Sequence, residues 1–100
     1  MFISFQQVTA TATVKTAADL TIPAKATSVE LQASSQNVSY TMDNETTPTQ
    51  TAGMMLLTTA EPKMFGIDDL RRIKFVRGAG SDGSLNIHYA ADTLRSRKGT

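Results

Sequence analysis

Cysteine and tryptophan are absent from this chain, and histidine occurs once, as His88. Without cysteine there is no disulfide, no thiolate metal site and no thiol nucleophile. A single histidine lacks the further ligands of a zinc site, and the abundant Ser and Thr show no His–Asp relay at a recognisable spacing. The sequence therefore predicts a protein that is not an enzyme and that holds no cofactor and no metal.

Long apolar runs and an excess of charge of one sign are also missing. No run approaches the roughly 20 residues of a membrane-spanning helix, and the formal net charge is only +1. The opening "MFISFQQVTA" lacks the basic leader of a secretion signal. We therefore expect a soluble chain, made in a cytoplasm, with no nucleic-acid partner and no membrane partner.

Alternation of apolar and polar residues dominates what is present. The chain has 100 residues, enough for one domain with one modest core. Four segments alternate with period two, which is typical of strands with one buried and one wet face. Their apolar positions are Val29, Leu31 and Ala33; Val38, Tyr40 and Met42; Ile73 and Phe75; Leu85, Ile87 and Tyr89.

Further segments complete an all-β chain. "FISFQQV" and "DLTIPA" resemble strands, "GMMLLTT" is apolar on both faces and predicts a central strand, and "EPKMFG" is a connector. "GIDDLRR" predicts one short helical turn near 67–72. Seven or so short strands separated by turn formers predict a compact antiparallel β-sandwich, jelly-roll or Ig-like. We expect one domain over 1–100, with an N-terminal arm over 1–10 and a mobile C-terminal tail over 92–100.

Three features could carry chemistry, and each has a simpler interpretation. "GAGSDG" matches G-x-G-x-x-G, but the segment after it alternates like a strand, which favours a hairpin loop over a nucleotide site. His88 lies out of phase with its apolar neighbours, which predicts a surface or interface position. Asp43 and Glu45 could attract a cation, although turn capping explains Asp43 equally well.

Candidate contact residues lie near both ends of the chain and around the segment 71–77. We expect the apolar side chains near the N-terminus to be buried, in this chain or in a neighbouring subunit, and the basic ones to form a charged rim or a solvated edge. The predicted interface residues are Phe2, Ile3, Phe5, Arg71, Arg72, Arg77, Arg95 and Arg97.

The order of the strand segments resembles small β-rich virion structural proteins of tailed bacteriophages. The likeness covers 23–90 and includes "VSYTMD", the Thr-Pro turn at Pro48, "GMML", "DLRRIKFVR" and "LNIHY". "YTMD" with "TPT" is also similar to β-sandwich modules appended to chitobiase-type enzymes. This chain has "DNETTPT" where those modules usually have a glycine-containing "DGSTPT".

The first resemblance implies a virion component, made in the cytoplasm of a bacterial host. Within the virion it implies a capsid decoration protein that stabilises the head by protein–protein packing, or a neck or tail accessory protein. The expected partners are other virion proteins, such as the major capsid protein or neck and tail proteins, and copies of the chain itself in a homo-oligomer. The alternative is a carbohydrate-associated β-sandwich binding module, which needs aromatic residues along one exposed face. A host-interacting or regulatory domain is a third interpretation.

Overall fold

A computed structural model describes residues 1–91, which form eight strands and two short helical turns. The strands are β1 (Phe2–Ala10), β2 (Lys15–Thr16), β3 (Ser28–Ser34), β4 (Val38–Thr41), β5 (Met54–Leu56), β6 (Lys63–Gly66), β7 (Lys74–Arg77) and β8 (Gly83–Ala90). A 3-10 turn spans Ala17–Asp19, and one α-helical turn, α1, spans Ile67–Leu70. The predicted tail over 92–100, with Arg95 and Arg97, lies outside the described residues.

The eight strands pair as one long antiparallel hairpin. β1 pairs with β8, β2 with β7, β3 with β6, and β4 with β5, each pair antiparallel. The tip of this hairpin is the connection 42–53 between β4 and β5. Two more antiparallel pairs, β3 with β8 and β4 with β7, form when the hairpin is rolled up.

Rolling the hairpin produces two four-stranded sheets, a jelly-roll topology. Sheet A has the order β1-β8-β3-β6, and sheet B has the order β2-β7-β4-β5. An immunoglobulin fold places its first two strands side by side in one sheet, whereas here β1 and β2 lie in different sheets. The predicted antiparallel sandwich is therefore confirmed, and the strand order selects the jelly roll over the Ig-like alternative.

The core lies between the sheets and contains the apolar positions that the alternation predicts. Tyr89, Phe75, Leu31 and Ile87 are among the largest fully buried side chains. Across the layer, the rings of Tyr40 and Phe65 meet edge to face, with centroids 5.9 Å apart. Leu70 of α1 and Ile73 after it are also buried, so the helical turn predicted near 67–72 contributes to the same core.

Four expectations about individual segments are corrected. The segment "DLTIPA" is not a strand, because it leaves the 3-10 turn at Asp19 and continues as irregular chain. The connector "EPKMFG" contains β6. The segment "GMMLLTT" contributes β5, which is an edge strand rather than a central one, because it pairs only with β4. The loop after Arg77 joins β7 in sheet B to β8 in sheet A, so it is not a hairpin loop.

The outer face of sheet B is covered by the chain itself. The alternation of β4 predicts that Ser39 and Thr41 are wet, but both are buried. The Ser39 hydroxyl donates to the carbonyl of Ala52 at 3.2 Å, and the Thr41 hydroxyl donates to the carbonyl of Thr46 at 2.6 Å. The connection 42–53 therefore folds back over β4, and its own Pro48 is fully buried.

Candidate functional site

The outer face of sheet A carries the most unusual group of exposed side chains in the described chain. The strand register places Phe5 beside His88, His88 beside Glu30, and Glu30 beside Met64, in one row across all four strands. Phe2 lies beside this row. We call these five residues the sheet-A face: Phe2, Phe5, Glu30, Met64 and His88.

A β-bulge near the N-terminus brings two phenylalanines to this face. Residues three apart on a regular strand point to opposite faces. In β1, however, Phe2 pairs with Ala90 and Ser4 pairs with Tyr89, so that Ile3 is an extra residue relative to β8. The extra residue reverses the alternation, and Phe2 and Phe5 therefore share the outer face.

The rings of the sheet-A face pack on His88. The Phe2 ring stacks on the imidazole with centroids 3.8 Å apart and planes 5° from parallel, and the Phe5 ring approaches it edge-on at 6.1 Å. His88 Nδ1 lies 3.9 Å from Oε1 of Glu30, which is beyond hydrogen-bond length. The imidazole is thus held between aromatic rings and a carboxylate, and the prediction that His88 points to the surface is confirmed.

Apolar exposure on this face is large. Phe2, Phe5 and Met64 are 47%, 61% and 57% exposed. Isolated apolar side chains at a surface are common, but a group of them on one flat face is typical of a contact site. Within the chain, the expected burial of Phe2, Ile3 and Phe5 is wrong, since all three are exposed on an edge strand. Their burial by a neighbouring subunit stays a prediction.

Beside the apolar row lies a chain of amide side chains. Gln7 Nε2 donates to Asn86 Oδ1 at 2.8 Å, and Asn86 Nδ2 donates to Ser34 Oγ at 3.3 Å. A shallow hollow of about 90 Å³ opens between the apolar and amide groups. It is lined by Phe5, Glu30, Gln32, Pro62, Asn86 and His88. The face therefore combines exposed rings with hydrogen-bonding groups whose orientations are already fixed.

The predicted basic interface residues that the structure describes, Arg71, Arg72 and Arg77, do not form one patch. Arg71 and Arg72 are exposed directly after α1, whereas Arg77 lies at the far end of β7. Arg77 Nη1 lies 3.1 Å from Oδ1 of Asp82 in the following loop. This pairing leaves Arg77 a local role in holding the loop after β7.

Two other surface features lie on sheet B. Met54 and Leu57, at the exposed edge formed by β5, are 63% and 42% exposed. We call this pair the β5 edge. A groove of about 290 Å³ lies between the segment 12–14 and the connection 47–50, with Val76 and Arg77 also in its lining. Arg77 is the one ionisable residue in that lining, and Asp82 already pairs with it.

The residues considered for chemistry have structural roles. The Asp43 carboxylate accepts hydrogen bonds from the Glu45 and Thr46 backbone amides and from the Thr46 hydroxyl. These bonds lower the pKa of Asp43 to about 2, the Thr46 hydroxyl first among them. Turn capping therefore accounts for Asp43. Within residues 1–91, no three His, Asp or Glu side chains form a group that could hold a metal ion.

The two tyrosines are structural as well. Both are buried, and burial raises the pKa of each phenol. The Tyr89 hydroxyl donates to Gln6 Oε1 at 2.8 Å, and the Gln6 oxygen also accepts from the Thr21 backbone amide. This link ties the connection after the 3-10 turn to β1.

Comparison with known proteins adds no relative: no protein-family model, curated protein or solved structure matches the chain. In the part of the chain that the structure describes, no helix is long and apolar enough to cross a membrane.

The sequence predicts three of the five residues of the sheet-A face as contact or surface residues and does not predict the other two. Phe2 and Phe5 are predicted contact residues, and His88 is predicted to be at the surface. Glu30 and Met64 are missed, because alternation gives the phase of a strand but not the partner beside it. The available signal is that Glu30 and His88 both occupy the wet phase of their strands.

Proposed function

We propose that this protein is a structural component of a bacteriophage virion, a capsid decoration protein that works by packing against its neighbours. The neck and tail accessory roles are variants of the same adhesive mechanism. The observation that carries the proposal is the sheet-A face, an uncovered sheet surface with three large apolar side chains. A protein whose task is adhesion needs such a surface and needs no catalytic group.

The separation of the exposed apolar residues supports an adhesive role. The sheet-A face lies on one sheet, and the β5 edge lies on the other. A decoration protein that contacts both copies of itself and a larger shell needs two separate contact surfaces. Binding to such neighbours would stabilise the folded chain by mass action.

The jelly-roll topology is compatible with this role but does not determine it. Jelly rolls occur in viral capsid domains, and also in lectins and cupins. Because one fold supports many functions, the proposal depends on the surfaces rather than on the strand order. The described residues present uncovered apolar surfaces and no group of three His, Asp or Glu side chains that could hold a metal ion.

Particle composition tests the proposal. We expect mass spectrometry of particles from the phage that encodes the chain to detect it at a high, fixed copy number for a head protein. A low copy number set by one ring would indicate the neck or tail. Absence from purified particles, with the chain present in the host lysate, would contradict a structural role.

A binding experiment tests the β5 edge. Purified chain should sediment with particles that lack it, and Leu57→Asp should reduce the bound amount at least about tenfold by placing a charge in an apolar contact. Ala24→Asp, at an exposed position in the connection between β2 and β3, is the matched control and should bind like the unmodified chain. Equal binding by both variants would exclude the β5 edge as the shell contact.

A carbohydrate-binding role is the second candidate, and one observation favours it. Phe2, Phe5 and His88 present rings on a flat exposed face beside the amides of Gln7 and Asn86. Tyr40 and Tyr89, the two tyrosines, are buried and are not available for stacking on a sugar. Glycan-array binding that is lost in Phe5→Ala would support this candidate, and no binding to any glycan would count against it.

A further inference from the structure

We infer that the sheet-A face binds the sheet-A face of a second copy of this chain. The two copies are related by a two-fold axis that runs along the strands, between β8 and β3. The inference rests on the proposed adhesive function and makes it more specific, because it assigns one of the two apolar surfaces to self-association. The order of residues across the sheet-A face is what identifies a second copy of the chain as the binding partner.

The row of residues across the four strands is chemically complementary to the same row read in the opposite direction. Read from β1 to β6 it is Phe5, His88, Glu30 and Met64. A two-fold axis between the middle strands reverses the row on the facing copy, and so places His88 opposite Glu30 of the second copy. The same operation places Phe5 opposite Met64 of the second copy.

Both new pairs are chemically favourable. An imidazole N–H donates to a carboxylate, and the symmetric contact supplies this pair twice. A thioether beside the edge of an aromatic ring is a favourable contact of about 0.3–1.5 kcal/mol. Any other strand-to-strand offset would leave at least one strand of the row without a complement.

The neighbouring row also fits its reverse. It contains Phe2, Ala90, Ser28 and Gly66, from β1 to β6. The axis therefore places the backbone position of Phe2 opposite Gly66 of the second copy, with the Phe2 ring leaning from there onto His88. A Cβ added at Gly66 would meet no atom within 4 Å, so the surface above this glycine is open and has room for a ring.

The hollow lies beside the axis, so the hollows of the two copies would face each other. Their shared lining includes Glu30, Gln32, Asn86 and His88. Polar groups that face each other across a small space are well suited to bridging water, which is common in protein interfaces. The contact thus has apolar flanks at β1 and β6 and a wet polar middle.

The size of the face sets the expected affinity. With strands about 4.8 Å apart and about 3.3 Å per residue, the nine, eight, seven and four residues of β1, β8, β3 and β6 give a footprint of roughly 440 Å² per copy. A standard interface buries roughly 800 Å² per partner. We therefore expect a dimer with a dissociation constant in the micromolar range or weaker, which sedimentation equilibrium measures directly on the purified full chain.

Two charge variants test the axis. In His88→Glu, the facing pairs become carboxylate against carboxylate. In Glu30→Lys, they become ammonium against imidazole. Each variant alone should dimerise at least about tenfold more weakly, because His88→Glu opposes like charges across the interface and Glu30→Lys removes the carboxylate that accepts from the imidazole N–H. Mixed in equal amounts, the two variants should form a heterodimer. In that heterodimer the introduced ammonium faces the introduced carboxylate, and the unchanged His88 of one copy faces the unchanged Glu30 of the other.

The same experiment has a control and a decisive failure. Glu45→Lys makes the same charge change at an exposed position in the connection between β4 and β5, and should dimerise like the unmodified chain. Circular dichroism verifies that every variant is folded. Heterodimer formation supports the proposed axis, whereas a mixture that stays monomeric overturns it.

Gly66→Leu tests the fit of the second row without disturbing the fold. The glycine has φ −72°, which any residue adopts, and open space at its Cβ position. The leucine should therefore be tolerated in the single chain but should fill the space that receives Phe2, and dimerisation should weaken at least about tenfold. An unchanged dimer would mean another contact, such as pairing of the exposed β1 edges, and would overturn the proposal.

A chain that is monomeric at its highest soluble concentration would also overturn it. These outcomes are independent of the test of the proposed function, which measures capture on particles. Particle binding by a monomeric chain would reject the dimer and leave the adhesive function standing. A dimer that binds no particle would support self-association and would reject the proposed adhesive function.

Discussion

The two sheets have strands with similar alternating sequences, but the outer face of sheet A is exposed and the outer face of sheet B is covered. In sheet A, the outward residues of β8 are half-exposed up to His88 while the inward ones are buried. In sheet B, all four residues of β4 are buried. The difference is the twelve-residue connection 42–53, which folds back over sheet B and hydrogen-bonds to the outward hydroxyls of Ser39 and Thr41.

This contrast shows what an alternating pattern specifies and what it does not. Alternation separates the two faces of a strand, but a long connection can cover the polar face as well as the apolar one. Ser39 and Thr41 suit such a cover, because their hydroxyls donate to carbonyls of the connection. Sheet A has rings and a thioether at its outer face instead, which suit a contact with another molecule.

The largest expected difference in the free energy of unfolding is between substitutions of one phenylalanine from each sheet. Phe75 of β7 is fully buried, while Phe5 of β1 is exposed. Phe75→Ala should lower the free energy of unfolding by about 3–5 kcal/mol, since it removes a buried ring and leaves a cavity. Phe5→Ala should change it by less than about 0.5 kcal/mol in the monomer. Urea denaturation at low protein concentration measures both, and a large loss in Phe5→Ala would mean that sheet A is also covered.

A pair of glycines sharpens the comparison. Gly53 has φ +131°, and a Cβ there would lie 2.8 Å from Ser39 Oγ and 3.2 Å from the Tyr40 carbonyl oxygen. Gly53→Ala should therefore cost about 1–3 kcal/mol through backbone strain and displacement of the cover. Gly66→Ala, in open space on sheet A, should be neutral or stabilise by up to about 1 kcal/mol. Thermal unfolding of the two variants should shift in this order, and equal shifts would contradict the close approach at Gly53.

The hydroxyl contacts of the cover should have a smaller effect. Thr41→Val keeps the shape of the side chain but leaves the Thr46 carbonyl without its donor, and should cost about 1 kcal/mol. Gln7→Ala removes the exposed hydrogen bond to Asn86 on sheet A and should cost less than about 0.5 kcal/mol. If hydrogen exchange in β4 is no faster in Thr41→Val, the hydroxyl is not what holds the connection in place.

The smallest expected effect is a local response of the connection to acid. The pKa of Asp43 is lowered to about 2 in the fold, from 3.8. The sign follows from linkage: a lowered pKa gives stability that is present above pH 3.8 and is lost as the pH falls through about 2. NMR should therefore show the amide signals of Glu45 and Thr46 titrating near pH 2, while β8 stays folded. In Asp43→Asn this titration should disappear, and a midpoint near 4 in the unmodified chain would contradict the capping bonds.

Much of the fold is readable from the sequence, because side-chain phase is a local property. Period-two alternation alone predicts the buried apolar side chains of β3 and β8, such as Val29 and Tyr89, and it also predicts the exposure of His88. Short strands with weak patterns escape this reasoning. The two residues of β2 and the four of β6 are specified by partners that are distant in sequence.

The sheet-A face could be predicted only in part. Apolar residues near the N-terminus predicted a contact, but a regular strand would put Phe2 and Phe5 on opposite faces, and only the bulge at Ile3 brings them to the same one. The sequence also did not determine whether the basic residues form one patch. The length of β7 separates Arg72 from Arg77.

The sequence by itself determined that this chain is a small β-sandwich without thiol chemistry, because alternation and composition are properties of single segments and single residues. Only the tertiary structure decided that the sandwich is a jelly roll, that its own connection covers sheet B, and that Phe5, His88, Glu30 and Met64 stand in one row. Those outcomes depend on which strands become neighbours and in what register, and that choice is made by burial and hydrogen bonding over the whole rolled hairpin.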